Sequence, residues 1–490
     1  MATFYLSYTI TKFCASVKVF FTFAKTQHVF RHFLTVAGLY LIVSAGRAKD
    51  KEEYAQKENR MKIPAVKGTR DFYPEDMAVR NWMIDGWKRV SLRNGFEEYD
   101  GPIFEYLTMF QIKSGDEIVE QLFSLKDRGG RDLALRPEIT PTLARMVNQR
   151  INSLPRPIKW FSVPRLFRAE RPQKGRLREF FQWNVDIIGV DDVLADAEVI
   201  FCALDYLREV GLTPKDVAVK ISSRKMLAEL LRAVGIPEDQ LEQLYAVLDK
   251  RSKVPADAFG QMLGEVLADE NTRRSVQQLM SVESTEQISA IVQLTDRVKE
   301  SVGQLRRLFD LLEAMGVSDY CVFDIGIVRG LAYYTGIVYE IYDRASELRA
   351  IGGGGRYDNL LQLFGGPAIS ATGFGIGDCV LGILLQEKGL LQRQVPRRKL
   401  DYFVAWVNET YRQAAIKLAM KVRSAGRTAG FSYKTANLSK QLKEAAEQNA
   451  AKCIIIGSEI ENQQLTVKNM ASGEQELVDV DDLLSKLDST

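Results

Sequence analysis

The sequence predicts an α+β domain that is interrupted by a helical segment and followed by a small α/β domain. Three patterns predict it. Short strand-like runs, glycine turns and helices share residues 61–214 and 319–392. Residues 215–318 have few strand signals and several apolar helix faces, such as Val298, Val302, Leu305, Leu308, Leu312 and Met315. Past a basic linker at 396–399, strand and helix alternate over residues 399–490, which argues a mostly parallel sheet. A chain of 490 residues has room for all three, because a single core stops growing well before that length.

The first sixty residues stand apart. Residues 1–49 contain no acid and carry Lys12, Lys18, Lys25, Arg31, Arg47 and Lys49. Their apolar run at 33–44 is shorter than the roughly 20 residues that span a bilayer as a helix. The composition resembles an organellar presequence, or loosely a signal peptide with a late apolar region. The alternative is a protein that begins at Met61, where K-I-P-A-V-K-G-T-R-D-F follows directly. Without this basic extension the net charge of +3 falls close to zero, so any polyanion site must be a local patch.

Composition also excludes chemistries. The only histidines are His28 and His32, so the body of the chain has no His-based triad, metal site or general base. The cysteines at 14, 202, 321, 379 and 453 lie far apart with no C-x-x-C, which argues against a zinc site or a disulfide framework. Carboxylates, Arg, Lys, Tyr and the backbone must carry the chemistry.

Along the body, Val79, Met83, Trp87 and Val90 define one helix face that ends near Asn94-Gly95. A strand with a proline is expected at 96–103. Residues 121–135 read as a hairpin around Gly129-Gly130, and 137–142 as a turn into a helix. Strand signals return at 320, run through Y-Y-T-G-I-V-Y-E-I-Y, and meet the glycine run 352–355. That run fits neither a P-loop nor G-x-G-x-x-G, and reads as backbone passing close to a ligand or a neighbouring strand. A glycine-spaced strand and helix, T-G-F-G-I-G-D-C-V-L, close the domain near 391.

The most informative stretch is 167–189, F-R-A-E-R-P-Q-K-G-R-L-R-E-F-F-Q-W-N-V-D-I-I-G. Arg168, Arg171, Lys174, Arg176 and Arg178 sit in a loop broken by Pro and Gly, with Arg165 just upstream, and a strand from 180 to 188 follows. Such a loop is either a solvated basic turn or a phosphate grip, for which planar, permanently charged Arg forks are suited. The order R-x-E-R-P-Q-K-G-R resembles the second signature motif of class II aminoacyl-tRNA synthetases, in the version of the histidyl-tRNA synthetase family. V-R-G-L-A-Y-Y-T-G at 328–336 resembles that family's histidine-specific signature, with Ala332 where Asp is usual.

The resemblance covers nearly all of 62–490 and implies a class II synthetase-like catalytic domain with an antiparallel sheet and a C-terminal anticodon-binding-like domain. It implies Arg168 and Arg329 as catalytic residues that stabilise the activated carboxylate and α-phosphate from opposite sides. Glu138, Thr140, Gln182, Asp186, Tyr333 and Tyr334 would bind histidine, with Asp186, shorter by a methylene than the family's Glu, accepting from the imidazole N–H. Arg168, Arg178 and Arg356 would meet ATP, Arg356 either there or in a structural role. Gln173, Lys174 and Arg176 at the hairpin tip would meet the tRNA acceptor end. The third class II motif departs: Val380 stands where an Arg holds the ATP γ-phosphate.

The implied activity is ATP- and Mg²⁺-dependent activation of L-histidine and its transfer to tRNA(His), by a cytoplasmic homodimer without membrane association and without protein metal ligands. The compartment becomes organellar if residues 1–60 are a presequence. The departures at Val380, Ala332 and Asp186 keep a second reading open, a non-catalytic paralogue such as the regulatory subunit of ATP phosphoribosyltransferase. A non-enzymatic tRNA-binding module is a third.

Overall fold

A computed structural model describes residues 63–112, 122–251, 254–328, 334–345, 347–396, 399–434 and 436–488. The presequence-like segment at 1–60 lies outside them. Helix α1 (Pro74–Arg93) opens with Pro at its first turn and has Glu75 and Asp76 at its positive end and Arg93 at its negative end. Its predicted face is the buried one. Trp87 stacks on Trp183 at 6.1 Å, and Trp183 Nε1 donates to Ser91 Oγ at 2.8 Å. Asn94 and Gly95, at φ 78°, end the helix as expected.

The strand expected at 96–103 is much shorter, reduced to β1 (Glu97–Glu98). The Arg136 guanidinium takes the Gly101 carbonyl at 2.7 Å and Asp100 at 2.7 Å, which removes that backbone from any ladder. Strand β2 (Phe104–Tyr106) instead joins the predicted hairpin, β3 (Ser124–Lys126) and β4 (Asp132–Leu135), in a sheet of order β2-β4-β3. Helix α2 (Thr140–Gln149) follows the expected turn.

The central sheet starts with β5 (Ile158–Ser162), β6 (Arg165–Phe167) and β7 (Glu179–Ile188). After helix α3 (Leu194–Glu209) comes β8 (Val217–Ser223), which pairs along seven registered positions in that sheet. The helical segment therefore begins at Arg224 rather than at 215. It comprises α4 (Arg224–Ala233), α5 (Leu241–Leu248), α6 (Ala256–Val266), α7 (Glu270–Leu279) and α8 (Asp296–Ala314). The expected apolar face of α8 is buried at Val298, Val302, Leu305, Leu308 and Leu312.

The chain re-enters the sheet with β9 (Cys321–Phe323), β10 (Ile337–Asp343), β11 (Gly352–Arg356) and β12 (Ala371–Gly377), which leads into helix α9 (Asp378–Glu387). The nine strands run β1-β5-β7-β12-β11-β10-β8-β9, with β6 paired to β7. All pairs are antiparallel except β1 with β5 and β8 with β9. Side chains alternate across the sheet. Trp183, Val185, Ile187, Phe374, Ile376, Tyr339 and Ile341 point to the large core shared with α1, α3 and α9. The opposite face holds a smaller cluster that includes Tyr99, Ile158, Ile188, Tyr334, Val338 and Tyr357.

Residues 400–488 build a separate five-stranded sheet of order β14-β13-β15-β16-β17. Its elements are β13 (Leu400–Trp406), α10 (Arg412–Ser424), β14 (Ala429–Phe431), α11 (Leu438–Glu447), β15 (Ala450–Ile456), β16 (Gln464–Asn469), β17 (Gln475–Asp479) and α12 (Val480–Asp488). The α/β alternation holds. The sheet is parallel only at β14-β13-β15, because β16 and β17 return as an antiparallel hairpin.

Candidate active site

A trough without side chains runs across the second face of the central sheet. Registered pairs put Gln182, Asn184 and Asp186 of β7 opposite Gly377, Gly375 and Gly373 of β12. Gly375 and Gly373 in turn lie opposite Gly353 and Gly355 of β11, and those opposite Glu340 and Val338 of β10. The glycines form a floor, and β7 and β10 form walls about 14 Å apart at a strand spacing of ~4.8 Å. The floor has to be glycine. A Cβ on Gly373 would lie 2.1 Å from Asp186 Oδ1 and 2.7 Å from the Val185 carbonyl, and one on Gly355 would lie 2.9 Å from the Tyr334 ring.

The β7 wall carries the residues expected to read the substrate. Gln182 and Asp186 fall on the trough side, as the strand period requires. Gln182 lies against Gly375, whose Cβ would meet its Cδ at 2.8 Å. Asp186 is buried and accepts a hydrogen bond from the Tyr357 hydroxyl. Tyr357 is a site residue that the sequence reading missed. Its signal was available, since it directly follows Arg356 and alternation puts it on the face of Gly355. Tyr334 joins the same cluster. Arg329 and Tyr333 lie outside the described residues.

The basic hairpin stands on the same wall. Arg168 pairs through its backbone N–H with the Arg178 carbonyl at 2.9 Å, its Nε donates to the Pro137 carbonyl at 3.1 Å, and its guanidinium lies 5.1 Å from the Phe180 ring. The Pro137 contact brings Arg168 to the turn that carries Glu138, which is buried, and Thr140, the half-buried first residue of α2. At the hairpin tip Gln173 and Arg176 exchange two backbone hydrogen bonds of 2.9 Å around Gly175, at φ 75°. Gln173 and Lys174 are exposed there, Lys174 lies 3.2 Å from Glu387, and Arg176 pairs with Glu170.

Of the residues expected to meet ATP, Arg356 takes the structural alternative and Arg178 is partly engaged within the hairpin base. Arg356 donates from Nε and Nη2 to Asp196, from Nη1 to the Val190 carbonyl and Ser370 Oγ, and from Nη2 to the Asp192 carbonyl. That commits all five N–H donors of a guanidinium, so its role is structural and none is left for a phosphate. Arg178 spends Nε on the Glu170 carbonyl at 3.0 Å and Nη1 on the Lys67 carbonyl at 3.4 Å, and its backbone N–H on Gly68 O at 2.8 Å. It braces the hairpin from below.

Val380 sits under the hairpin turn, where a Cβ on Gly175 would lie 2.9 Å from Cγ2. The neighbouring Asp378 caps the start of β7 by accepting from the Phe181 backbone N–H at 2.9 Å, and pairs with Arg70 Nη2 at 2.6 Å. Phe72 meets Phe181 edge-on at 6.3 Å. Residues 67–72 thus strap the hairpin base to the first turn of α9, a link between segments that local pattern does not reveal.

Comparison with known proteins agrees with this geometry. The family model for histidyl-tRNA synthetase matches residues 68–377, and the model for the anticodon binding domain matches 401–490. The chain is 42% identical over 425 residues to a histidine--tRNA ligase of Arabidopsis thaliana named as chloroplastic/mitochondrial, covering 86% of each chain. It is 41% identical over 397 residues to the histidine--tRNA ligase of Opitutus terrae, covering 80% of this chain and 90% of that one. The fold superposes on histidyl-tRNA synthetase from Nostoc with a TM-score of 0.73 at 23% identity, covering 88% of this chain and all of the other. The glycine trough, the basic hairpin and these matches together make the chain a member of the histidyl-tRNA synthetase family.

Proposed function

We propose that this protein activates L-histidine with ATP and transfers the histidyl group to tRNA(His). The observation that carries the reading is the glycine-floored trough, walled by Gln182 and Asp186, with Arg168 set against Phe180 at the end of the same wall, within the stretch that the family model matches. The substrate carboxylate attacks the α-phosphorus of ATP in line and pyrophosphate leaves. The terminal ribose hydroxyl of tRNA then takes the acyl group from the adenylate, and AMP leaves as the acyl–phosphate bond breaks. No side-chain nucleophile is needed, so catalysis is positioning plus charge stabilisation by Arg168 and, in the segment beyond the described residues, Arg329.

Glu138, Thr140, Gln182, Asp186 and Tyr334, with Tyr333, bind the amino acid; Gln173, Lys174 and Arg176 meet the acceptor end. Among the described residues no group of three His, Cys, Asp or Glu forms a resident metal site. Mg²⁺ would enter with the triphosphate it neutralises. The regulatory-subunit reading is disfavoured by the anticodon binding domain at 401–490, for which that role has no use.

A homodimer is supported by Phe104, Tyr106, Ile112 and Leu125, large apolar side chains exposed on and beside the β2-β4-β3 sheet. None of the helices among the described residues is long and apolar enough to cross a membrane. The compartment is decided by residues 1–60, and the name of the Arabidopsis relative favours the organellar reading over the cytoplasmic one. Import of a reporter fused to 1–60 separates the two. The central experiment is histidine-dependent ATP–pyrophosphate exchange with the purified protein. Exchange at millimolar histidine and ATP is expected, and its absence removes the synthetase reading.

A further inference from the structure

Three arginines and two phenylalanines stack into a ladder on the side of the basic hairpin that faces away from the trough. Register fixes the side. Arg165 of β6 pairs with Phe181 of β7, and Phe181 belongs to the large core, opposite to Gln182 on the trough. The Arg165 guanidinium lies 4.9 Å from the Phe181 ring, and that of Arg80, on α1, lies 5.2 Å from the same ring. Arg80 also lies 5.2 Å from the ring of Phe72, which Arg70 meets at 4.9 Å. The order is Arg70, Phe72, Arg80, Phe181, Arg165, drawn from the strap, the first helix and the hairpin base. Aromatic faces hold guanidinium planes in place without using their N–H donors.

The ladder holds more positive charge than its carboxylates match. Arg70 pairs with Asp378 at 2.6 Å and Arg165 with Glu179 at 2.5 Å. Among the described residues no carboxylate forms an ion pair with Arg80, whose Nη2 donates to the side chain of Asn81 beside it at 3.1 Å. The Nε atoms of Arg80 and Arg70 have no hydrogen-bond partner among the described residues. Burial first, then the charge of Arg165, pulls the Arg80 pKa below its ordinary value, as befits a cation among cations. The patch is open to solvent, since Arg70 and Arg165 expose 31% and 40% of their side chains. Unmatched donors within a group of like charges call for an anion.

We propose that Arg80, flanked by Arg70 and Arg165, binds a backbone phosphate of the tRNA acceptor stem. The inference rests on the reading of the hairpin tip as the contact for the acceptor end. Gln173 and Lys174 stand exposed at that tip, and Arg165 leads into the same hairpin through β6. The hairpin is two strands wide, about 4.8 Å between them. A nucleic-acid duplex that lays its end across the tip is several times wider, so its backbone overhangs both faces. One face looks onto the trough, and the other carries the ladder. Arg forks take two phosphate oxygens at once, and duplex RNA is held mainly by its phosphates and 2′-hydroxyls. Such a contact positions the stem and reads no base.

The test uses two variants of the full-length protein. Arg80→Met keeps a flexible apolar chain between the rings, and Asn81→Asp, at an exposed position, hands Arg80 a carboxylate of its own. Binding of tRNA(His) and of a minihelix made of the acceptor stem alone is titrated over a range of KCl concentrations. Pyrophosphate exchange and thermal unfolding are measured alongside. Arg80→Met should raise Kd for tRNA(His) about tenfold and reduce the salt slope by about one, the signature of one lost phosphate contact. The minihelix should lose as much, because it has no anticodon arm. Asn81→Asp should raise Kd about threefold without unfolding at a lower temperature. Exchange needs no tRNA, so KM for histidine and ATP should stay within about twofold in both variants. Unchanged binding of tRNA(His) or of the minihelix in Arg80→Met overturns the proposal. So does a lower unfolding temperature with Kd for tRNA and both KM values rising alike, which makes the ladder a brace. A raised Ki for pyrophosphate with tRNA binding intact overturns it too, and assigns the site to the free diphosphate. A wild-type protein without exchange is a separate failure, that of the functional reading beneath.

Discussion

Arg356 closes on Asp196 with two hydrogen bonds to one oxygen: Nε and Nη2 reach Oδ2 at 3.0 and 2.6 Å. Asp196 is completely buried on α3 and Arg356 ends the glycine strand β11, so the pair fastens the trough floor to a core helix. Removing one partner strands a buried charge. Arg356→Ala should lower unfolding free energy by about 3–5 kcal/mol, measured by urea titration. Arg356→Lys keeps the charge and should retain a wild-type KM for ATP at reduced stability. A tenfold rise in that KM with unchanged stability would restore Arg356 to the nucleotide site.

Two glycines of neighbouring strands should fail in different ways. On Gly354 a Cβ would lie 2.0 Å from the Gly373 carbonyl and 2.8 Å from the Tyr339 hydroxyl, with backbone that cannot yield. Gly354→Ala should therefore give little folded protein. On Gly375 the obstacle is the end of the Gln182 side chain, at 2.8 Å, which can swing aside. Gly375→Ala should fold, yet raise KM for histidine by about tenfold or more, because it displaces Gln182 and narrows the trough. Circular dichroism and exchange kinetics distinguish the two.

On the proposed reading, in which the hairpin grips ATP, the strap at 67–72 supports that grip. Without Arg70 the hairpin base loses its tie to Asp378, while the hydrogen bond that the Phe181 backbone N–H donates to that carboxylate survives. Arg70→Ala should raise KM for ATP about three- to tenfold and leave KM for histidine unchanged. Equal effects on both substrates, or none on either, would remove the strap from a role in nucleotide binding.

Acid stability has an identifiable contributor. Burial alone would raise the Asp216 carboxyl, but Lys388 at 2.6 Å and the Thr213 hydroxyl and backbone N–H hold its pKa at about 2, below an unfolded value of 3.8. A depressed carboxylate pKa gives stability that is complete above the unfolded value. It is lost as pH falls from about 4 through 2. Asp216→Asn should cost roughly 1 kcal/mol at pH 7, after screening of so superficial a pair. The variant should also flatten the decline of stability over that acid window.

Local pattern carried much of the fold. The face of α1, the hairpin at Gly129-Gly130, the strand after the basic loop and the α/β alternation past the linker are all periodic or turn-encoded, and each stands where expected. Strand β8 was missed because its neighbours in sequence are helical and its partners are remote: Val217 faces Asp343. The same distance hid the true work of Arg356, whose acceptor lies 160 residues away. Within the site, Gln182 and Asp186 were legible because both lie on one continuous strand. The Arg70–Asp378 tie was not, because it is brought in by a pairing that no short window contains, whereas Tyr357 could have been found by alternation from Gly355.

The bare glycine floor also divides the labour of recognition. Backbone amides are identical whatever lies above them, so the middle of the trough offers contact without discrimination. On the proposed reading, selectivity is confined to its margins, the side chains of β7 on one bank and of β10 on the other. A redesign toward another amino acid would leave the bed of the channel alone and rewrite a bank. The same economy leaves the enzyme little tolerance: any side chain that intrudes from below blocks every substrate equally.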